Sequence, residues 1–429
     1  MPIILAIILV LSFYMLIDTR SAVKSEYEKY LAEARKYAEM GIQIDAAENY
    51  GKALAINDTL EINLEVGQFY LEMDDIVSAI EWGNMMIDKY PKEVKAYEYL
   101  LNIVYENKDF HRCYSLLETI QKRKLTSDRV KEIQKAIKYE YYLEDGFDSV
   151  GAFASSRWPV MIENKWGFCS STGKNVIKRT YESVGPFSND IAPVKTFEGE
   201  TYYIDVDGNK KVVIQNVKNV VELGTFASSL YPVYNGKTWA FYNTDYKKIG
   251  KDYEDVSAMG NGIAAVKEGG YYYLVDTKCE KVCNTKFSEV VRDEKNIVCR
   301  NDALFVNIDG LYYLVNKKGE KITKTAFQDA RLFLDDTYAA VKGDKGWYFI
   351  DATGKAVFEN LYFDDARSFS NGLAAVKGKG KWGYINLDGK IAIDYTFEDV
   401  KDFADNGATF VKAEDIWQHL YLYSENFED

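Results

Sequence analysis

Histidine is nearly missing: the 429 residues contain two, His111 and His419. Neither stands near a serine or cysteine nucleophile motif, and no G-x-S-x-G occurs, so a histidine-based triad has nothing to be built from. Cysteine is sparse too. Cys113, Cys169, Cys279, Cys283 and Cys299 are an odd number and are spread along the chain, which fits free structural thiols better than a disulfide framework. Cys279 and Cys283 stand four apart with no second pair and no neighbouring histidine, so no metal site is expected. Positive charge is in deficit. Lys and Arg number 53 against 66 Asp and Glu, a formal charge of −13. That balance excludes nucleic acid as an expected partner, because phosphate-backbone binding needs clustered Lys and Arg. Gly236-Lys-Thr lacks the upstream glycine of a phosphate loop, since Tyr231 stands there, and it reads as a hairpin turn.

What the chain does have is aromatic side chains, 15% of all residues and 34 of them Tyr. At regular spacing they favour β-structure with large half-buried rings. The length predicts two or three folded units. Residues 2–17 form an uncharged, almost wholly apolar run of sixteen, ended by Asp18, Thr19 and Arg20. No Lys or Arg precedes it and no A-x-A cleavage pattern follows, so a retained transmembrane anchor is expected, with a cleaved signal peptide as the alternative. Arg20 and Lys24 follow the span, which favours a single-pass protein with a cytoplasmic bulk.

From residues 25 to 145 the apolar residues recur at three- and four-residue intervals, and the only proline is Pro91. Asp45-Ala-Ala-Glu-Asn-Tyr-Gly-Lys-Ala-Leu resembles the second helix of a tetratricopeptide repeat. Small residues then recur at Ala46, Ala79 and Cys113, spaced by 33 and 34. The period of that family is about 34 residues. A helix from Ser127 to Tyr142 is expected to cap the stack. The resemblance implies a concave groove showing Leu31, Arg35, Leu64, Gln68, Glu98 and Asn102, with Glu39, Glu72 and Glu106 nearby. Arg35 alone cannot form the basic clamp that such domains use for carboxylate tails. An acidic, partly apolar groove implies a basic or amphipathic protein segment as partner; a bare spacer is the alternative.

The remainder, residues 147–429, is a repeat. Asn261-Gly-Ile-Ala-Ala-Val-Lys leads into Tyr272-Tyr-Leu-Val-Asp, and Asn371-Gly-Leu-Ala-Ala-Val-Lys leads into Trp382-Gly-Tyr-Ile-Asn. Equivalent positions fall at Trp166, Thr201, Trp239, Tyr272, Tyr312, Trp347, Trp382 and Trp417, spaced by 33 to 40 residues. Seven residues later comes Gly173, Gly208, Gly319, Gly354 or Gly389, with Tyr246 and Cys279 in the same slot of two other copies. Val206-Asp-Gly-Asn and Leu387-Asp-Gly-Lys are hairpin signals.

This pattern resembles the WG-repeat family, most closely over residues 363–400. The resemblance implies a repeated β unit and an interaction role, and no chemistry. Three or four strands in about 35 residues is the size of a propeller blade. The chain as a whole is therefore read as multidomain α plus all-β: a membrane helix, a tetratricopeptide-like α-solenoid, and a propeller of seven or eight blades. An open β-array is the alternative. The strand entering at Phe147-Asp-Ser-Val-Gly-Ala-Phe could complete a last unit that is one strand short, which would close the ring and remove two exposed edges.

Acids recurring at one slot, such as Asp205, Asp276 and Asp351, are expected to cap turns. A catalytic acid should depart from the repeat, and Glu198, Glu200, Asp335 and Asp336 are the departures visible in loops. The recurring rings should pack between units, with Gly167 and Gly383 making room for a ring. Trp158, outside the repeat register, is the candidate for stacking on a ligand. The expected function is a membrane-anchored scaffold with no enzymatic activity and no cofactor. A glycan-binding or glycan-cleaving surface propeller and a ligand-free spacer are the alternatives.

Overall fold

The computed structural model describes residues 23–214 and 217–423. The expected membrane segment, 2–17, lies outside the described residues, and among those described no helix is long and apolar enough to cross a membrane. The chain divides into two compact units between Glu140 and Tyr141.

The first unit is helical: α1 (23–39), α2 (Gln43–Ile56), α3 (Leu60–Glu72), α4 (Ile76–Lys89), α5 (Val94–Glu106), α6 (Phe110–Lys122) and α7 (Asp128–Ala136). The turns α1–α2, α3–α4 and α5–α6 share one geometry. Gly41, Asp74 and Lys108 take a left-handed backbone, and the next N–H returns to a carbonyl of the helix just ended: Ile42 to Tyr37, Asp75 to Tyr70, Asp109 to Val104. Asp75 and Asp109 then cap the following helix by accepting from the N–H of Ser78 and Arg112. Ala46, Ala79 and Cys113 are fully buried where the helices meet, as the 33- and 34-residue spacing anticipates.

The last helix is shorter than expected. It ends at Ala136, and Tyr141–Phe147 is a strand, so the helical reading of 25–145 and of Ser127 to Tyr142 runs too far. The run Tyr141-Tyr-Leu is strand-prone, and it finds an unpaired partner in Ile416–Leu422.

The second unit is a closed eight-bladed propeller. Each blade opens with a two-residue inner strand: Ser149–Val150, Ser183–Val184, Glu222–Leu223, Asp255–Val256, Glu289–Val290, Asp329–Ala330, Asp365–Ala366 and Asp399–Val400, for blades one to eight. Two longer antiparallel strands follow in every blade. In blade eight the outer strand is Tyr141–Phe147, paired from Tyr141 opposite Leu422 to Phe147 opposite Trp417 with a register shift between Glu144 and Gly146. The ring thus closes as expected, six residues upstream of the segment the sequence suggested, and the open array is excluded. Apolar clusters fill the spaces between blades. Phe147, Trp158, Cys169 and Phe410 join blades eight and one, and Phe168, Phe187 and Ile204 join one and two.

The left-handed slot is confirmed in seven blades. Gly173, Gly208, Gly319, Gly354 and Gly389 have positive φ, and so do Tyr246 (58°) and Cys279 (61°). Four residues after the recurring central position, the side chain of Asp205, Asn243, Asp276, Asn316, Asp351 or Asn386 accepts two backbone N–H groups of the same turn. The recurring acids are therefore turn caps.

Gly167 and Gly383 make room for backbone rather than for a ring. A Cβ on either would lie 2.5 Å from a carbonyl oxygen of the outer strand, Ile177 or Ile393. These two blades carry the seven-residue outer strands Asn175–Tyr181 and Ile391–Phe397. Where the slot holds Tyr202, Tyr273 or Tyr313, the outer segment is a three-residue strand or isolated bridges. A lysine eight residues on covers each tyrosine: Lys210 at 4.2 Å, Lys281 at 3.2 Å and Lys321 at 3.3 Å from the ring centre. In five blades the position is filled in one of two ways, glycine under a full strand or tyrosine under a lysine, while Ala240, Tyr348 and Gln418 hold it in the other three. Gly383→Tyr should therefore cost about 3 kcal/mol by expelling the outer strand. Adding Ile391→Lys should return about 1 kcal/mol. Urea unfolding of the two variants and the double variant measures both steps.

The closing seam holds the buried His419. It is 1% exposed, lies 4.0 Å from the Tyr421 ring and 4.6 Å from Phe410, and neither ring nitrogen has a hydrogen-bond partner. Burial lowers its pKa to about 4. Between pH 6.5 and 4 the unfolded chain binds a proton that the native seam refuses, so stability falls as pH falls through that window. The loss should approach about 3 kcal/mol near pH 4. Comparing urea unfolding at pH 7 and pH 5 for the natural chain and His419→Phe checks this, with a flatter profile expected for the variant.

Candidate functional site

The groove residues separate into three groups. Leu31 is buried in the core between α1, α2 and α3 and lines no groove, because its helix turns that face onto Tyr50 and Phe69. Arg35 is committed internally: its guanidinium grips Glu65 at 2.6 and 2.7 Å, and Tyr50 donates to the same carboxylate at 3.0 Å. The Arg35 fork holds the Glu65 carboxyl below the usual range, against the opposing effect of burial. Asn102 accepts from Arg129 at 2.7 Å. Arg129, which the sequence pattern does not single out, also pairs with Glu132 at 3.0 Å. Leu64 and Glu98 are half-buried and Gln68 is exposed.

In the propeller the recurring rings are structural, with Trp347, Trp382 and Trp417 buried and Trp166 and Trp239 half-buried. Tyr272 and Tyr312 donate to Asp255 and Glu289 on the inner strands of their own blades at 2.7 and 2.6 Å. Trp158 is 1% exposed and packs against Phe153 and Phe410, so it is a seam residue and not an exposed stacking ring. Of the loop acids, Glu200 pairs with Lys210, while Asp335 caps the N–H of Thr337. Glu198 and Asp336 line neither of the two cavities described below. Among the described residues no group of His, Cys, Asp and Glu is placed to hold a metal.

The departure that matters lies elsewhere, in the loop after an inner strand. Val256 pairs with Val266 in blade four and Ala366 with Val376 in blade seven, but Val290 pairs with Val306 in blade five. That connection is six residues longer, and it runs to the axis. Asp293 builds it: one oxygen accepts from the N–H of Lys295 and Ile297 at 2.9 Å, and the other grips Arg300 at 2.6 and 3.1 Å. The loop is pinned on two other blades. The Thr225 hydroxyl donates to the Lys295 carbonyl at 3.1 Å, and the Ala258 N–H donates to the Asn296 carbonyl at 2.8 Å.

The next residue, Glu294, reaches across the ring. One carboxylate oxygen accepts from Arg367 of blade seven at 2.7 Å and the other from Lys401 of blade eight at 3.0 Å. Arg367 also grips Asp402 at 2.6 and 2.7 Å, and Arg331 meets Asp365 at 3.0 Å. The same inner position holds Gly151, Gly185 and Gly224 in blades one to three, so one side of the axis is bare and the other charged. Burial pushes the Glu294 carboxyl up, but Arg367 and Lys401 more than offset it and hold it below the usual range. Burial, with Arg300, pushes the Lys295 ammonium below the ordinary lysine value.

Two cavities flank Glu294. One of about 220 Å³ is lined by Phe153, Trp158, Lys295, Arg300, Lys401 and Phe403; one of about 150 Å³ is lined by Arg292, Arg331, Leu332 and Arg367. Asp293, Glu294, Leu334 and Asp402 belong to both walls. The walls set the cations Arg292, Lys295, Arg300, Arg331, Arg367 and Lys401 beside the acids Asp293, Glu294 and Asp402. Ser370 in the wall is engaged with the Phe403 carbonyl at 2.7 Å, so it offers no free nucleophile. The one sequence signal of this site was the 40-residue step from Tyr272 to Tyr312.

The fold defines a helical-repeat unit followed by an eight-bladed propeller. Residues 166–196, 349–382 and 382–417 match the model of the WG containing repeat, so the propeller carries WG repeats. No curated protein matches the chain. Among solved structures, the chain is similar to BamB from Moraxella catarrhalis at 11% identity, over 66% of this chain and 98% of that one, with a TM-score of 0.41. It is also similar to Hsv2p of Kluyveromyces lactis, at 13% identity over 65% and 97%, TM-score 0.35. The WD40 β-propeller domain of Doa1 matches at 12% identity over 66% and 96%, TM-score 0.33. Likenesses at this level carry no argument about function.

If Asp293 is the anchor of the axial loop, Asp293→Ala should cost about 3 kcal/mol, since Arg300 and two N–H groups lose their partner. Hydrogen exchange at the Lys295 and Ile297 amides should accelerate while the blade strands keep their protection.

Proposed function

We propose that the protein is a non-enzymatic scaffold held at a membrane, with two repeat units that each present a binding surface. One observation carries this reading. The recurring rings and acids are spent on packing blades and capping turns, so the repeat supplies surface and shape rather than a reaction centre. The helical unit works as a tetratricopeptide-like groove. Its available side chains, Leu64, Gln68 and Glu98 with Glu72 and Glu106 beside them, suit a basic or amphipathic protein segment, because Arg35 is already neutralised by Glu65. Residues 2–17 supply a single-pass anchor, and Arg20 and Lys24 after them favour a cytoplasmic soluble region.

A photo-crosslinker at Gln68 should capture a protein partner in cells, and Glu72→Lys with Glu98→Lys should reduce the yield about tenfold. Equal capture from a crosslinker placed at Lys174, a turn of the propeller, would remove the groove from the proposal. Alkaline carbonate should leave the full chain in the membrane fraction, and protease added to intact cells should spare the soluble part. Extraction into the supernatant would remove the anchor.

A further inference from the structure

We propose that Arg367 and Lys401 form a carboxylate-binding site at the propeller axis, that Glu294 is its built-in occupant, and that a ligand with a carboxylate on an apolar stem displaces it. The helical groove plays no part in this inference.

Four observations lead there. First, Glu294 meets its two cations as a bound carboxylate would, one oxygen to each. The cations come from blades seven and eight, and the acid from an insertion in blade five. A strut within the repeat would join adjacent blades, as Arg331 with Asp365 and Arg367 with Asp402 do. Second, the loop does not depend on Glu294. Asp293, Thr225 and Ala258 pin its backbone, so the Glu294 side chain can rotate away while the loop stays folded. Third, the carboxylate is within reach of solvent. The Glu294 side chain is 34% exposed, whereas Arg367 and Lys401 are 18% and 16% exposed. Its cations are largely desolvated, which strengthens any anion they hold.

Fourth, the space beside it is shaped for more than a bare ion. The 220 Å³ cavity has an aromatic wall, Phe153, Trp158 and Phe403, next to Lys401. That volume suits one amino-acid side chain. The Trp158 indole N–H is buried without a partner in this wall. Lys295 lines the cavity and feels Asp293, Asp402 and Asp405 at a distance, with none of them bonded to its ammonium. A ligand carboxylate on Arg367 and Lys401 would lay its stem on Phe153 and Phe403 and bring its next polar group to Lys295. The same chemistry is carried by a peptide ending in an apolar residue and by a free apolar amino acid in N-acylated form.

The test is isothermal titration of the full chain with N-acetyl-phenylalanine, its amide, and a tetrapeptide ending in phenylalanine. Glu294→Gln keeps the shape and removes the charge, so it should bind N-acetyl-phenylalanine at least about tenfold more tightly than the natural chain. The amide should not bind. Lys401→Met should abolish binding in either background. Tighter binding of the tetrapeptide than of the single residue would assign the source to a chain terminus, and the reverse to a small acid. Glu294→Asp, which keeps the charge but cannot reach both cations, gives a second reading and should fall between the natural chain and Glu294→Gln. Equal affinity for acid and amide, or no gain in either Glu294 variant, would overturn the proposal.

Discussion

One pairing holds the propeller together: Tyr141–Phe147 against Ile416–Leu422. Seven blades are made from consecutive chain, and each hands its apolar face to the next. The eighth has only three strands of its own, and without the borrowed one the ring would end in an unpaired edge. Closure also fixes the axis. Eight two-residue inner strands converge there, and whatever follows each of them is forced towards the same narrow space. The charged network of Arg331, Arg367, Lys401 and Asp402 exists because the ring is shut. The seam carries its own strain on polarity, since His419 and the Trp158 indole are enclosed there without partners.

The repeat divides its side chains between two tasks. Positions that recur in nearly every blade are mechanical, such as the left-handed slot, the turn cap and the aromatic. Positions that change from blade to blade lie at the axis. Gly151, Gly185 and Gly224 leave blades one to three flat, while Arg331, Arg367 and Lys401 arm blades six to eight. Three cations facing one another would repel, and the structure answers with acids from two sources. Asp365 and Asp402 come from the next blade's inner segment, and Glu294 comes from across the ring.

The architecture was legible in the sequence because its signals are local. A left-handed turn needs glycine or a tolerant substitute within a fixed distance of the aromatic, and that distance is countable. Even Tyr246 and Cys279 kept their slots. The boundary at Glu140 and Tyr141 was less legible, since Tyr139-Glu-Tyr-Tyr-Leu serves a helix or a strand, and only its distant partner at Ile416–Leu422 decides. Gly383 was recognised as necessary for the wrong neighbour: it accommodates the backbone of Ile391–Phe397. Trp158 reads from the sequence as a ring for stacking on a ligand because it falls outside the register, yet leaving the register places it in the seam. Leu31 shows the same limit in the helical unit, where the face that meets a neighbour depends on a packing angle the spacing does not give.

The axial site was the least legible part, for a physical reason. Arg367 and Lys401 are 34 residues apart, and Glu294 is 73 residues from the first and 107 from the second. No window on the sequence brings them together; only the ring does. What the sequence did carry was an irregularity of length, a step of 40 where neighbouring steps are 33 and 35. In a closed ring extra residues must go outward to solvent or inward to the axis. An outward loop needs no special anchoring. This one is held by a carboxylate with 5% exposure, Asp293, gripping Arg300 and two amides. Such an anchor desolvates a charge, which is favourable only when the geometry is well satisfied. It therefore marks a loop whose position at the axis is part of what the blade-five insertion provides, and the residue that the anchor presents to the opposite blades is Glu294.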